Sequence, residues 1–303
     1  MLPFILNTLN TPIQHKPRIT PMVKLANLKS NPLDKVHTRL NDHMKKGEKR
    51  TYLGMSIIGH KCHRYLQFVH YGCVISEYHE RIERLFEDGH SAEAQLIKAL
   101  QKIGIHVCDQ QLKVVGRTGH VQGHIDGNGS WFSDEFQLFS AEPFLVEFKT
   151  HNQKSFDELK RVYDLQKTKP IHYSQMISYM GHQEQLKGLY VAKNKNDSAI
   201  EVRIIDFDQE HFNDLGRKEV EVVTADTLLP RIGNDNRTWF ECKMCNAKSV
   251  CFGDNKPEAD CRNCNHVDVL DGGEWRCTKH AKYVTTMEPC DQYELGVMFQ
   301  CIS

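Results

Sequence analysis

Cysteine is concentrated near the carboxy terminus of this 303-residue chain. Seven of its eleven cysteines lie between Cys242 and Cys290. The amino terminus lacks the charged segment and cleavage site typical of a signal peptide, so an intracellular, cytoplasmic location is expected. Disulfides are rare in that compartment, where clustered cysteine pairs more often bind metals. The spacing therefore predicts a metal-stapled module over residues 236–303 that has little hydrophobic core.

The rest of the chain is long enough for one large domain. Because 40% of all residues are apolar, that domain can have a sizeable core. No apolar run approaches the roughly 20 residues of a membrane span, so no membrane partner is expected. Lys plus Arg equals Asp plus Glu, 39 against 39, and this balance by itself does not favour nucleic-acid binding. Residues 1–50, however, carry ten Lys/Arg and three Asp/Glu. We expect a basic, irregular arm with a short helix near its end, either solvated or in contact with phosphates.

Hydrophobic periodicity divides residues 51–235 into helices and strands. Apolar residues follow helical spacing over 75–100. Further along, the sequence predicts strands 105–115, 120–126 and 144–149, a helix over 172–185, strands 188–192 and 199–207, and a helix over 209–227. This order is typical of a mixed α/β fold.

Two acidic motifs lie at the ends of neighbouring predicted strands. Asp126 closes the first within a Gly-x-x-Asp-Gly motif, and Glu147-Phe148-Lys149 closes the next. Alternation along a strand puts Glu147 and Lys149 on one face and Phe148 on the other. Adjacent strands would bring Asp126 beside Glu147, where two carboxylates repel unless a cation such as Mg²⁺ lies between them. Such a metal can activate water and neutralise a phosphate, with Lys149 orienting the water.

In their order and spacing, these motifs resemble the PD-(D/E)XK nuclease superfamily, particularly its RecB-like branch. The resemblance implies a restriction-endonuclease-like mixed sheet flanked by helices over residues 51–235. It also implies hydrolysis of DNA phosphodiester bonds with Mg²⁺ or Mn²⁺. The downstream Gln-x-x-x-Tyr motif of that branch is matched by Gln175 and Tyr179, which lie on one helix face and would steady the lysine and its strand.

The family also takes a metal ligand from the helix that precedes the acidic motifs. Glu93 matches that place, with His90 as an alternative. Together with Asp126 and Glu147, the resemblance implies that the Phe148 carbonyl contributes to the same metal site.

The first cysteine group, Cys242-x2-Cys245-x5-Cys251, supplies three thiolates. Cys62, which precedes the nuclease-like region, can supply the fourth. One leading and three trailing cysteines resemble the iron–sulfur nucleases of the RecB-like branch, which include CRISPR-associated exonucleases and AddB-type nucleases. The resemblance implies a [4Fe–4S] cluster, and Zn²⁺ is the alternative for four thiolates.

A second cysteine group lies outside that resemblance and consists of Cys261, Cys264, Cys277 and Cys290. Its first pair resembles a zinc knuckle, and four thiolates would close a structural Zn²⁺ site. His266 and His280 are competing ligands. Trp275 either packs over this site or stacks on a base. The remaining thiols are interpreted as ordinary ones: Cys73, Cys108 and Cys301.

The sequence thus predicts a metal-dependent DNA nuclease, and the family resemblance favours an exonuclease acting on free or single-stranded ends in DNA processing or recombination. A structure-specific endonuclease is the next interpretation. Two hypotheses come from other classes: a non-catalytic nucleic-acid-binding module of the same fold, and a zinc-ribbon adaptor whose tail binds a protein partner. The intact acidic and lysine set favours the enzyme, because a binding module does not need it.

Overall fold

The computed structural model describes residues 35–36, 38–39, 50–74, 80–131, 143–233 and 235–300. The chain divides into two compact units, Met1–Lys45 and Lys46–Ser303. In the first unit, the described residues 35–36 and 38–39 are helical and exposed, in agreement with the predicted short helix. The rest of the predicted basic arm, up to residue 49, lies outside the described residues.

The second unit combines short strands with helices of very different lengths. In chain order the strands are β1 (Leu53–Gly54), β2 (Ile105–Cys108), β3 (Lys113–Val115), β4 (Val121–His124), β5 (Gly127–Trp131), β6 (Phe144–His151), β7 (Lys187–Asn194), β8 (Ile200–Asp206), β9 (Val267–Leu270), β10 (Glu274–Cys277) and β11 (Lys282–Tyr283). The helices are α1 (His63–His70), α2 (Glu80–Lys102), α3 (Gln153–Arg161), α4 (Leu165–Thr168), α5 (Pro170–His182), α6 (Gln209–Thr224), α7 (Phe240–Lys243), α8 (Lys248–Cys251) and α9 (Val297–Gln300). No helix in the described ranges is both long and apolar enough to cross a bilayer.

Three sheets organise these strands. The largest has the order β2–β5–β6–β7–β8, and its neighbours are antiparallel except for the parallel pair β6 and β7. The two smaller sheets have the orders β1–β4–β3 and β11–β10–β9. The predicted α/β class with a mixed sheet flanked by helices is confirmed.

Polar residues fix where the helices begin. Asn152 caps α3 by accepting a hydrogen bond from the Ser155 N–H at 2.9 Å. Asp208 caps α6 by accepting from the His211 N–H at 2.9 Å. Pro170 occupies the first turn of α5, where its missing N–H costs nothing.

Apolar side chains cover both faces of the large sheet. On one face α2 packs against β2 and β6, in a cluster formed by Leu96, Ile97, Leu100, Ile105, Val107, Phe144, Val146, Phe148, Leu189 and Val191. On the other face α3 and α5 cover β6 and β7, in a cluster that includes Leu145, Phe156, Leu159, Met176, Tyr190 and Ala192. Because side chains alternate along a strand, Glu147 and Lys149 lie on this second face, opposite Phe148.

A third apolar cluster joins the cysteine-rich region to α1. Its buried members are Phe68, Tyr71, Cys73, Ala247, Val250, Trp275 and Phe299. The Trp275 ring is 4.8 Å from the His70 ring and 5.0 Å from the His120 ring, measured between centroids. The expectation of little hydrophobic core in residues 236–303 is therefore wrong. Trp275, 3% exposed, is a packing residue and does not present a face to a base.

Two strand predictions need correction. The predicted strand 105–115 breaks after Cys108, because Asp109 and Gln111 adopt positive φ angles of 51° and 60°. Its two halves, β2 and β3, belong to different sheets. The predicted strand 120–126 ends at His124, and the chain then enters β5, which the sequence did not predict. Strand β5 reads Gly-Asn-Gly-Ser-Trp, a composition of low strand propensity; a Cβ at Gly129 would lie 2.4 Å from the Phe144 ring, so packing requires glycine there.

The three predicted helices are present, and their ends differ from the predicted ones by a few residues. The helices predicted over 172–185 and 209–227 correspond to α5 and α6. The helix predicted over 75–100 corresponds to α2, which begins at Glu80; residues 75–79 lie outside the described residues. Helix α3 was not predicted.

Replacing Phe299 by Ala is expected to lower the free energy of unfolding by about 3–5 kcal/mol. The ring is 5% exposed and packs on Phe68 and Tyr71. The matched control is Phe240→Ala, because Phe240 is 66% exposed and such surface changes cost about 0.5 kcal/mol or less. Urea unfolding followed by circular dichroism measures both, and equally small effects would contradict a shared core.

Candidate active site

Glu147 and Lys149 form an ion pair inside the large sheet. Lysine Nζ contacts Glu147 Oε1. The Glu147 side chain is completely buried, whereas that of Lys149 keeps 24% exposure. The other carboxylate oxygen, Glu147 Oε2, is buried without a hydrogen-bond partner. A buried, ionised carboxylate is costly unless cations or N–H groups surround it, so this oxygen is a candidate metal ligand.

Asp126 reaches this pair through β5 and not through the strand that precedes it. Strand β5 begins at Gly127, which lies opposite Val146 in the antiparallel ladder with β6. This register places Asp126 beside the ion pair, and its Oδ2 accepts a hydrogen bond from the Phe148 N–H at 2.8 Å. The expected neighbourhood of Asp126 and Glu147 is present, but β4, predicted to provide it, belongs to a separate sheet.

Helix α2 contributes a third carboxylate. Glu93 is half-buried, interacts electrostatically with Asp126 and Lys149, and hydrogen-bonds to Gln111. His90 is exposed and its charge also acts on Glu93 and Asp126. Both candidate ligands from this helix therefore lie near Asp126, and Glu93 is the more buried of the two.

Burial raises the pKa of all three carboxyls. The pKa of Glu147 rises to about 8, first through burial and then through repulsion by Asp126. Burial also raises the pKa of Asp126, against the opposing effects of Lys149 and the Phe148 N–H, and the pKa of Glu93, where Asp126 adds to it. Burial alone would lower the pKa of Lys149, but Glu147 and Asp126 raise it. One lysine thus faces three carboxyls, and a divalent cation would relieve the remaining repulsion.

Gln175 and Tyr179 lie buried on one face of α5. Their side chains hydrogen-bond to each other, and the charge of Glu147 acts on the Tyr179 hydroxyl. Tyr179 Oη donates to the His124 carbonyl at 3.0 Å. A Cβ at Gly123 would lie 2.4 Å from Tyr179 Oη, so glycine is required there. The pair holds the end of β4 against α5.

Near Lys149 the structure contains a chain of hydrogen-bonded side chains that the sequence motifs did not predict. Tyr190 Oη lies 2.8 Å from both His151 Nε2 and His172 Nδ1, and His151 Nδ1 lies 2.9 Å from Ser155 Oγ. Burial, followed by nearby lysines, lowers the pKa of His151 to about 4 and that of His172 to about 3, so both rings are neutral at pH 7. His151 follows Lys149 by two residues and shares its strand face, a signal the sequence offered.

Each cysteine group gathers around its own cavity. The first cavity, about 30 Å³, is lined by Cys62, Cys242, Cys245 and Cys251. The second, about 290 Å³, is lined by Cys261, Cys264, Cys277 and Cys290, together with His266 and His280. Burial raises the pKa of Cys242 and Cys245, and the other thiols of the first group raise it further. Among the thiols interpreted as ordinary, Cys73 is buried and Cys108 exposed, while Cys301 lies outside the described residues.

Neither the carboxylates nor the thiols have the close spacing of metal ligands. In the described parts of the chain, no three His, Cys, Asp or Glu side chains have the geometry of a metal site. A metal would therefore have to draw its ligands closer together, and its binding energy would add to the stability of the fold.

Comparisons with known proteins give distant structural neighbours. No family model matches the chain, and no curated protein matches it. The crystal structure of SSO0001 has a TM-score of 0.41 and 15% identity, and the alignment covers 73% of this chain and 95% of that one. The alkaline exonuclease LHK-Exo from Laribacter hongkongensis has a TM-score of 0.37 at 14% identity, covering 57% of this chain and 89% of that chain. Its complex with dAMP has a TM-score of 0.36 at 14% identity, covering 57% and 88%.

The buried Glu147 carboxyl should appear in the pH dependence of stability. Its pKa of about 8 in the folded chain, against about 4.3 when unfolded, means that the folded state binds the extra proton between these values. Without added divalent metal, wild-type protein should therefore lose stability relative to Glu147→Gln as the pH rises from about 5 to about 8. The limiting slope for one proton is about 1.4 kcal/mol per pH unit.

Urea unfolding at several pH values measures this difference. Glu147→Gln also removes the contact with Lys149. Because the lysine stays charged over this pH range, that loss changes the difference in unfolding free energy by the same amount at every pH. Glu87→Gln, at an exposed position of α2, is the control. A difference between wild type and Glu147→Gln that does not change with pH would contradict the buried, protonated carboxyl.

Proposed function

We propose that this chain is a divalent-metal-dependent deoxyribonuclease that hydrolyses phosphodiester bonds. The observation that carries the proposal is the completely buried carboxylate of Glu147, whose Oε2 has no partner. This carboxylate interacts electrostatically with Asp126, Glu93 and Lys149. An ion pair with a purely structural role has no need of two further carboxyls. The resemblance of the Asp126 and Glu147-Phe148-Lys149 motifs to those of PD-(D/E)XK nucleases supports the same function.

Glu93, Asp126 and Glu147 would hold Mg²⁺ or Mn²⁺, with the Phe148 carbonyl as a further ligand. The donor set fits, because these ions prefer carboxylate and carbonyl oxygens, and the unpaired Oε2 gives such an ion a ready partner. When bound, the ion lowers the pKa of a coordinated water and offsets charge on the phosphate.

Lys149 is the residue best placed to act on the reacting groups. Its ammonium is kept charged by Glu147 and Asp126 and remains partly exposed. It can therefore donate a hydrogen bond to the attacking water or to a phosphate oxygen. Gln175 and Tyr179 would steady the strand and the lysine from the α5 side.

We propose DNA as the substrate, cleaved from a free or single-stranded end, so that exonuclease activity is favoured over structure-specific endonuclease activity. The basic arm over residues 1–50 would add contacts to phosphates, and these would weaken with rising salt. A non-catalytic binding module is disfavoured, because burying Glu147 lowers stability and DNA binding alone does not require that burial.

Digestion of end-labelled single- and double-stranded DNA distinguishes these three functions. Mononucleotides indicate an exonuclease, discrete fragments indicate an endonuclease, and intact DNA indicates a binding module.

We also propose that Cys62, Cys242, Cys245 and Cys251 bind a [4Fe–4S] cluster, with Zn²⁺ as the alternative. Four thiols drawn from distant parts of the chain provide the ligands that either group needs. Their cavity of about 30 Å³ has the size for a single ion, and a cluster would require the side chains to move apart. The thiols share their cavity with the apolar rings of Tyr65, Phe68 and Phe252, which would keep water away from the sulfurs. The role is structural, since the bound group would tie α1 to the carboxy-terminal region.

Asp126→Asn and Lys149→Ala should each lower the rate of DNA cleavage by at least about a hundredfold, as expected for lost groups that stabilise the reacting charges. The variants should stay folded. In Asp126→Asn the amide oxygen can still accept from the Phe148 N–H, and in Lys149→Ala the Glu147 carboxyl can protonate. Asp157→Asn and Lys160→Ala are matched controls at exposed positions of α3. Unchanged cleavage by either site variant would refute its assigned role.

Cleavage should require Mg²⁺ or Mn²⁺ and be slow in Ca²⁺. Calcium accepts more ligands at longer distances, so it can occupy the carboxylates without aligning the water. Rates with each ion measure the effect, and a gel-shift assay in Ca²⁺ should show that DNA still binds. Equal turnover in Ca²⁺ would count against this mechanism.

A further inference from the structure

The carboxy-terminal thiols are presented by a preorganised turn. Cys261 and Cys264 flank a 3₁₀ turn in which the Cys264 N–H donates to the Cys261 carbonyl at 3.4 Å. Asp260 caps this turn by accepting from the Arg262 N–H at 3.0 Å. Its carboxylate also pairs with the Arg262 guanidinium at 2.8 Å, and both side chains are buried. The backbone positions of the first two cysteines are thus fixed by interactions that do not involve a metal.

Two other segments bring their thiols to the same place. Cys277 ends β10. The loop before Cys290 returns to the turn, where the Cys261 N–H donates to the Met287 carbonyl at 3.0 Å. The Cys261 thiol donates to the Glu288 carbonyl at 3.1 Å. Three separate chain segments therefore converge on one cavity.

The four thiols line one cavity together. Their thiolate forms would repel one another unless a cation lay between them. The cavity measures about 290 Å³, which leaves room for a metal ion and for movement of the side chains around it.

We propose that Cys261, Cys264, Cys277 and Cys290 bind one zinc ion that holds the β9–β10–β11 sheet in place against the β3–β4 turn. Four thiolates form a closed, tetrahedral structural site with no position left for substrate. All four ligands come from a short stretch of chain, unlike the group that includes Cys62.

Neither histidine of this cavity is assigned as a metal ligand. His280 Nε2 lies 3.5 Å from Cys290 Sγ, a distance suited to a ring N–H that donates to a thiolate. A partner of this kind orients a metal ligand without binding the metal itself. His266 Nε2 instead lies 3.4 Å from Glu294 Oε2 and 3.5 Å from Lys279 Nζ.

The sheet that carries Cys277 contacts the nuclease-like region at its other end. There the Gly273 N–H donates to the Thr118 carbonyl at 3.1 Å, and His120 Nε2 lies 2.8 Å from the Leu270 carbonyl. A Cβ at Gly119 would lie 2.2 Å from the backbone of Gly272, so the two turns touch. The β3–β4 turn leads into β4 and from there to Asp126. Zinc at one end of the sheet would therefore stabilise the turn at the other.

Metal analysis by mass spectrometry tests the ligand set. Wild-type protein should contain about one zinc per chain more than Cys277→Ser or Cys290→Ser. His280→Ala and Cys108→Ser should keep that zinc; Cys108 is an exposed thiol outside the group. Cys62→Ser should also keep it. Absence of zinc from the wild type, or retention by Cys290→Ser together with loss from His280→Ala, would overturn the assignment.

Hydrogen exchange tests the link to the β3–β4 turn and keeps the proposal testable if Cys277→Ser fails to fold. Cys290→Ser should exchange faster than wild type at the amides of residues 118–124 but not in β8. Equal exchange at residues 118–124 in the two proteins would refute the stabilising role. Cobalt added to metal-free Cys62→Ser, in which the other cysteine group is incomplete, should give the sulfur-to-metal absorption of a tetrahedral thiolate site, and zinc should displace it. An octahedral spectrum would refute the four-thiolate site.

Discussion

The fold accommodates a carboxylate that is expensive to bury. Glu147 is fully buried on a central strand and is compensated by Lys149, which cannot reach both of its oxygens. Asp126 brings a second carboxyl through the β5–β6 register, and Glu93 brings a third from α2. Such an arrangement lowers stability unless a cation is supplied, and this is the physical basis of the proposed metal-binding centre.

Much of the surrounding structure can be understood as support for that centre. Helix α2 packs on the face of β6 that carries Phe148 and contributes Glu93. Helix α5 packs on the opposite face and contributes Gln175 and Tyr179. The close approach of Tyr179 to Gly123 fixes the strand that leads to Asp126. The cysteine-rich region is also part of this unit, because Trp275 and Phe299 complete a core with α1.

The sequence predicted those features that depend on local spacing. The shared face of Glu147 and Lys149, and the helices α5 and α6, follow from periods of two and 3.6 residues. It did not predict the break at Asp109 or strand β5, where backbone conformation and contact with Phe144 decide the outcome. The chain formed by His151, Tyr190 and His172 joins β6, β7 and α5, so only the tertiary fold brings it together. The ligand set of each metal site remains a prediction, although the structure places its members near one another.

The central claim is that the buried carboxylates hold a catalytic divalent ion, and anomalous diffraction from crystals grown with Mn²⁺ tests it most directly. The account predicts an anomalous peak within coordinating distance of Glu147 Oε2 and an Asp126 oxygen, at about 2.0–2.3 Å. The peak should be absent from crystals of Asp126→Asn grown in the same solution. A wild-type map with no Mn²⁺ peak at these oxygens, at a concentration that supports cleavage, would contradict the account.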